Sequence, residues 1–136
     1  MASKSKQGKC TKKERDTIAF VLACLFSSAI TKADLRQWAI SIIDKLDAES
    51  TPSYIFDLVD FNGELKDIYK IIGFVPIWNC FHAEENSLYG ISVIRGVGLY
   101  DAPLKPQEAL LLLKENPHIF DSFVDVFPFI ILPELY

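Results

Sequence analysis

Apolar residues recur along this chain with the period of an α-helix. Ile18, Val21, Leu22, Leu25, Phe26 and Ala29 follow i, i+3, i+4, i+7 spacing, one stripe of an amphipathic helix predicted from about Thr11 to Ser28. Thr31 then offers a capping hydroxyl, with Asp34 three residues on as in a capping box. Behind it Leu35, Trp38, Ala39, Ile42, Ile43 and Leu46 keep the helical period without a miss. Thr51-Pro52 reads as an N-cap followed by proline at the first helical position, where the missing N–H costs nothing. The short third helix carries Ile55, Phe56, Leu58 and Val59. Asn62-Gly63 interrupts the chain, and a fourth helix over Glu64–Ile72 uses Leu65, Ile68, Tyr69 and Ile72 until Gly73 and Pro76 end it.

The next stretch, His82–Leu99, contains Gly90, Gly96 and Gly98. Leu88, Ile91, Ile94 and Arg95 favour a helix, and the stretch is read as one, with the glycines marking close helix–helix approach, although Ile91-Ser92-Val93 also fits a short strand. Pro106 opens a helix over Gln107–Glu115, and Asn116-Pro117 opens a last one over His118–Phe127. Pro128 and Pro133 make the final residues an irregular apolar tail packed onto the body. Thr51-Pro52 with Ile55-Phe56-Asp57 is echoed by Asn116-Pro117 with Ile119-Phe120-Asp121. The echo reads either as stacked αα-hairpins or as two helix starts that converged on one capping chemistry. The predicted fold is all-α: a flexible basic arm over residues 1–10, then a single helical domain of about seven helices over residues 11–136.

A chain of 136 residues, half of them apolar, can bury roughly two-thirds of its unfolded surface without metal or disulfide staples. Cys10, Cys24 and Cys80 are odd in number, widely spaced and without a CxxC, which fits reduced thiols in a cytoplasmic protein. The start of the chain imitates a secretion signal, and Val21-Leu22-Ala23-Cys24 imitates a lipoprotein cleavage box. Glu14 and Asp16 interrupt it, and only the five apolar residues Ile18–Leu22 precede the cleavage region, against about 7–15 in a true signal. No segment reaches the roughly 18 apolar residues that span a bilayer.

Charge changes the picture most. Residues 1–15 hold six cations against one acid, net +5; the other 121 hold eight against seventeen, net −9. An acidic body repels nucleic acid and attracts basic proteins. The acids concentrate between Asp44 and Asp67, where seven face Lys45 and Lys66 alone. Asp44, Asp47, Asp57, Asp60, Glu64 and Asp67 are therefore the candidate partner-binding residues, with Tyr54, Phe61, Tyr69 or Trp78 as aromatic anchors. Asp57, Asp60, Glu64 and Asp67 recur at intervals of three or four, and would line one edge if the helices flanking Asn62-Gly63 were nearly collinear.

Catalytic signatures are missing parts. Cys80-Phe81-His82 lacks the further ligands zinc requires and the orienting third group of a nucleophilic pair. His82-Ala83-Glu84 lacks the P-C-x-x-C of zinc deaminases. The glycines form no phosphate loop, Ser27-Ser28 and Ser92 sit in no G-x-S-x-G elbow, and no D-x-D-x-D-G calcium loop exists. His118 stands in the first turn of a helix, where the dipole opposes an imidazolium and a pH switch. No enzyme activity, cofactor or metal is expected.

From Thr17 to Ile72, 56 residues, the chain resembles small helical immunity proteins that accompany bacterial toxins of the contact-dependent growth inhibition or polymorphic type. The similar elements are a first helix ending Phe26-Ser27-Ser28-Ala29-Ile30-Thr31, an acid-opened second helix with Trp38-Ala39-Ile40, and Pro52 before a short helix. The resemblance implies a cytoplasmic inhibitor that binds a basic, commonly nuclease, toxin domain and occludes its active site. That family shares a role more than a motif, so no site residue is carried over from it. The alternative is an αα-repeat scaffold or adaptor that holds a peptide or protein in an apolar groove. An enzyme of unfamiliar type would instead require a deep pocket with converging polar groups.

Overall fold

The computed structural model describes residues 12–96 and 102–133. The basic arm over residues 1–10 lies outside them, as do Gly98 and Leu99. Among the described residues the fold is all-α, as the periodicity predicts, and contains no strand. The helices are α1 (Lys12–Phe26), α2 (Lys32–Lys45), α3 (Ser53–Leu58), α4 (Ile68–Ile72), α5 (His82–Ile94), α6 (Pro106–Glu115) and α7 (Pro117–Val126), with a 3₁₀ turn over Leu65–Asp67. The described residues of Met1–Phe20 and Thr31–Ile77 make one compact unit, and those of Val21–Ile30 and Trp78–Tyr136 make a second.

α1 departs from the amphipathic expectation. Ile18, Ala19, Phe20, Val21, Leu22, Cys24 and Leu25 are all buried, whereas Phe26 of the predicted stripe is exposed. Successive helical residues turn by about 100°, so these seven cover every direction around the axis. The residues between the stripe positions are themselves apolar, and a helix apolar all round is buried all round. A Schellman turn ends it: the Ala29 N–H reaches the Cys24 carbonyl at 2.9 Å and the Ser28 N–H reaches Leu25 at 3.1 Å. Ser28 takes the left-handed conformation there, at φ +66°, which costs a non-glycine residue about 1–2 kcal/mol. Arg95 steadies the same turn by donating to the Ala29 carbonyl at 2.7 Å.

In the first unit, the predicted capping box forms: the Thr31 hydroxyl accepts from the Asp34 N–H at 3.1 Å, and the Asp34 carboxylate accepts from the Thr31 N–H at 2.9 Å. α2 buries Leu35, Trp38 and Ala39, but its stripe surfaces towards the end and leaves Leu46 exposed. The predicted Thr51 cap does not form. Thr51 is buried and its hydroxyl donates back to the Asp47 carbonyl at 2.8 Å, so Pro52 becomes the N-cap and supplies no side-chain bond. α3 packs against α2 and α4 through Tyr54, Ile55 and Leu58, and Tyr54 meets Phe74 edge-on at 5.6 Å. The predicted fourth helix starts instead as the 3₁₀ turn, and only Ile68–Ile72 is α-helical. Gly73 ends it as expected, at φ +89°, with its N–H on the Tyr69 carbonyl at 2.9 Å.

In the second unit, His82–Ile94 is one helix, which settles Ile91-Ser92-Val93 as helical; it stops before Gly96, whose φ is +77°. α5 packs against α6 and α7, burying Leu88 and Ile91 with Ala109, Leu113, Ile119 and Phe123. Gly90 makes the closest approach: a Cβ there would stand 2.6 Å from the Ala109 carbonyl oxygen and 2.9 Å from the Leu113 Cβ. Asn116 echoes Thr51 in donating to the carbonyl four residues back, Leu112, at 2.9 Å. The tail is anchored by Phe127 and Ile130, both buried. Glu84 caps α5 by accepting the Phe81 N–H at 2.8 Å, and also accepts from His118 Nε2 of α7 at 2.5 Å. These bonds, the Phe81 N–H first, hold the Glu84 carboxyl below the usual glutamate range.

Two outcomes follow from this packing. Gly90→Ala gains about 1 kcal/mol of helix propensity but meets backbone at a forbidden distance, and overpacking costs roughly 1–3 kcal/mol. The clash decides the sign, so thermal unfolding followed by circular dichroism should show a lower midpoint. Because the folded-state pKa of Glu84 is depressed, its contribution is present above the unfolded glutamate range and is lost as pH falls through the folded value. Glu84→Gln should therefore flatten the acid limb of midpoint against pH; superimposable limbs would refute this account.

Candidate functional site

The acids of the first unit come together around a turn. α3 ends with Asp57 exposed, Asp60 follows one turn on, and Asp67 closes the 3₁₀ turn half-buried. All three line one open depression of about 520 Å³, together with Phe61, Asn62, Gly63 and Ile71. Its apolar lining is Phe61, which is only 3% exposed, and Ile71. The Phe61 N–H bonds the Leu58 carbonyl at 3.1 Å, and Arg36 Nη1 of α2 donates to the Phe61 carbonyl at 2.7 Å. Gly63 lies over the Phe61 ring, so that a Cβ there would sit 3.5 Å from the ring and 4.0 Å from Asp67 Oδ2.

No described cation lies within ion-pairing distance of Asp57, Asp60 or Asp67. Three uncompensated carboxylates over a low-dielectric wall focus a negative potential. The arrangement can receive a cationic side chain and screen its hydrocarbon stem against Phe61 and Ile71.

The other three sequence-derived candidates stand elsewhere. Glu64 is exposed and pairs with Lys66 Nζ at 3.3 Å. Asp44 is exposed in the last turn of α2. Asp47 accepts the Ser50 N–H at 2.8 Å, a bond that leads in holding its carboxyl below the usual aspartate range. Neither Tyr54 nor Phe61 is a protruding anchor, since both are buried, and Tyr69 and Trp78 are half-buried. The sequence reading missed the exposed apolar residues Val75 and Ile77 in the first unit, at 64% and 78% exposure, and Phe81 in the second. Their signal was a Pro-containing apolar run without helical period.

The described thiols, Cys24 and Cys80, are the reverse of activated nucleophiles. Burial pushes Cys24 well above the ordinary thiol range. Desolvation, with the charges of Glu85 and Glu84, raises Cys80, whereas reactive cysteines depend on lowered values. Among the described residues no three His, Cys, Asp or Glu side chains converge as a metal site, and no helix is long and apolar enough to cross a membrane. No protein-family model, curated protein or solved structure matches the chain.

Iodoacetamide labelling of the native protein, read by peptide mass spectrometry, should leave Cys24 unmodified. Cys80 should react more slowly than a free thiol and accelerate only above the ordinary thiol range. Rapid labelling of Cys80 at neutral pH would contradict the electrostatics described above.

Proposed function

We propose that this chain is an immunity-type protein that binds a basic toxin domain, a nuclease by the chemistry of its phosphate-binding surface, and neutralises it by occlusion. The observation that carries the reading is the convergence of Asp57, Asp60 and Asp67, without cationic partners, on one depression. A nuclease active site is cationic because it holds phosphate, so an acidic face competes directly with its substrate and is steered to it. Under this reading the partner is a protein, no cofactor takes part, and the encounter takes place in the cytoplasm. The net charge of −9 outside the first fifteen residues extends the same field over the rest of the chain.

The adaptor reading draws on Val75 and Ile77, whose exposure offers an apolar contact instead. One variant separates the two. Asp57→Lys, Asp60→Lys and Asp67→Lys combined should slow association with the cognate basic protein by about 10- to 1,000-fold, the range that electrostatic steering provides, and apolar docking should hardly change. In practice, wild-type and triple-variant chains are used to capture proteins from the source cell at low and high salt. The protein retained only by wild type at low salt is then expressed alone and with each chain. Growth arrest relieved by wild type and not by the variant is the expected result. Equal relief by both chains, or a retained protein that is not basic, would sink the proposal.

A further inference from the structure

We infer that Arg36 is the positioning residue of the acidic depression: it holds the Asp60–Gly63 turn in the shape that brings the three aspartates together. The inference rests on reading that depression as the docking site. Arg36 sits on α2, outside the depression's lining, and reaches across 25 sequence positions to the Phe61 carbonyl. Phe61 lies between Asp60 and the Asn62-Gly63 break and forms part of the depression's wall. Its N–H is tied to Leu58 and its carbonyl to Arg36, so both backbone groups of the central residue of the turn are fixed.

The choice of acceptor is informative. A guanidinium can pair strongly with a carboxylate, yet no ion pair joins Arg36 to Asp57, Asp60 or Asp67. Its donor goes instead to a part-buried carbonyl. Without that donor the carbonyl must turn towards water, which rotates the peptide joining Phe61 to Asn62 and shifts Asp60 relative to Asp67.

The test uses the full chain, an octa-arginine peptide at low salt as cationic probe, and amide correlation spectra to locate binding. Wild type should show saturable shifts at Asp57, Asp60 and Asp67. Arg36→Met keeps the apolar stem and removes the donor, and should bind the peptide roughly three- to tenfold more weakly. Charge alone predicts the opposite, since removing a cation makes the surface more attractive to the peptide. Arg36→Lys, which can still donate to the Phe61 carbonyl, should recover most of the affinity. Hydrogen exchange at the Phe61 amide, which is bonded to the Leu58 carbonyl, reads the tether without any ligand and should accelerate in Arg36→Met. Unchanged exchange, or equal or tighter peptide binding by Arg36→Met, overturns the inference while leaving the docking reading in place. No saturable shift at the three aspartates of wild type overturns the docking reading and the inference together.

Discussion

A helical segment without a polar face has to be buried on every side, and Ile18–Leu25 of α1 is such a segment. From Ile18 to Leu25 nearly every side chain is buried, whichever way it points. At roughly 25 cal/mol per Å² of apolar surface, such a segment contributes several kcal/mol, which outweighs the local strain needed to end it. That strain is at Ser28, held left-handed where glycine is the common choice. The Schellman bonds and the Arg95 guanidinium then satisfy the carbonyls that the helix end would leave orphaned. The chain leaves this turn directly into Thr31 and the capping box of α2.

The charge distribution obeys a different logic. Carboxylates that face water repel one another only weakly at its high dielectric, so the trio, with Asp57 and Asp60 exposed and Asp67 half-buried, costs the free protein little. Once a partner displaces water, the effective dielectric falls and each carboxylate–cation attraction strengthens several-fold. The depression is therefore inexpensive to maintain and gains strength only on contact, the asymmetry an occluding inhibitor requires. An acid committed to a backbone N–H is less free to serve this way. Asp34, Asp47 and Glu84 accept backbone N–H groups and are structural residues despite their charge.

Where helix chemistry is local, the sequence was a sufficient guide. The Thr31–Asp34 box and the Gly73 stop depend on residues three or four apart, and both appear where the spacing puts them. Thr51 was misread because its competing acceptor, the Asp47 carbonyl, lies within an irregular turn that composition does not define. The face of α1 was misread because helical spacing selected one stripe, although the residues between its members were apolar too. Arg36–Phe61 and Glu84–His118 bridge 25 and 34 positions, and no local pattern encodes them. The acids were half legible. Collinear helices would have aligned Asp57, Asp60, Glu64 and Asp67, but the Asn62-Gly63 break and the 3₁₀ turn intervene. At 3.0 residues per turn that segment has a different angular step from an α-helix, and Glu64 stands outside the depression that the three aspartates share.

The apolar lining of the depression matters as much as its rim. Carboxylates alone accelerate encounter and confer salt sensitivity, but they leave a complex that dissociates readily, since exposed ion pairs contribute about 0–1 kcal/mol each. Residence requires dehydration, and half-buried Ile71 presents most of the apolar surface on which it can occur, Phe61 lying beneath as a buried wall. Gly63 keeps that surface open. Its φ is not left-handed, and a Cβ there would make ordinary contact with the Phe61 ring, so backbone strain does not demand glycine at this position. Its lack of a side chain instead leaves the space beside Asp67 free. In the proposed complex a cationic side chain lays its stem against Ile71 and its charge between the aspartates, and the tightness of inhibition depends on how rigidly that turn is held.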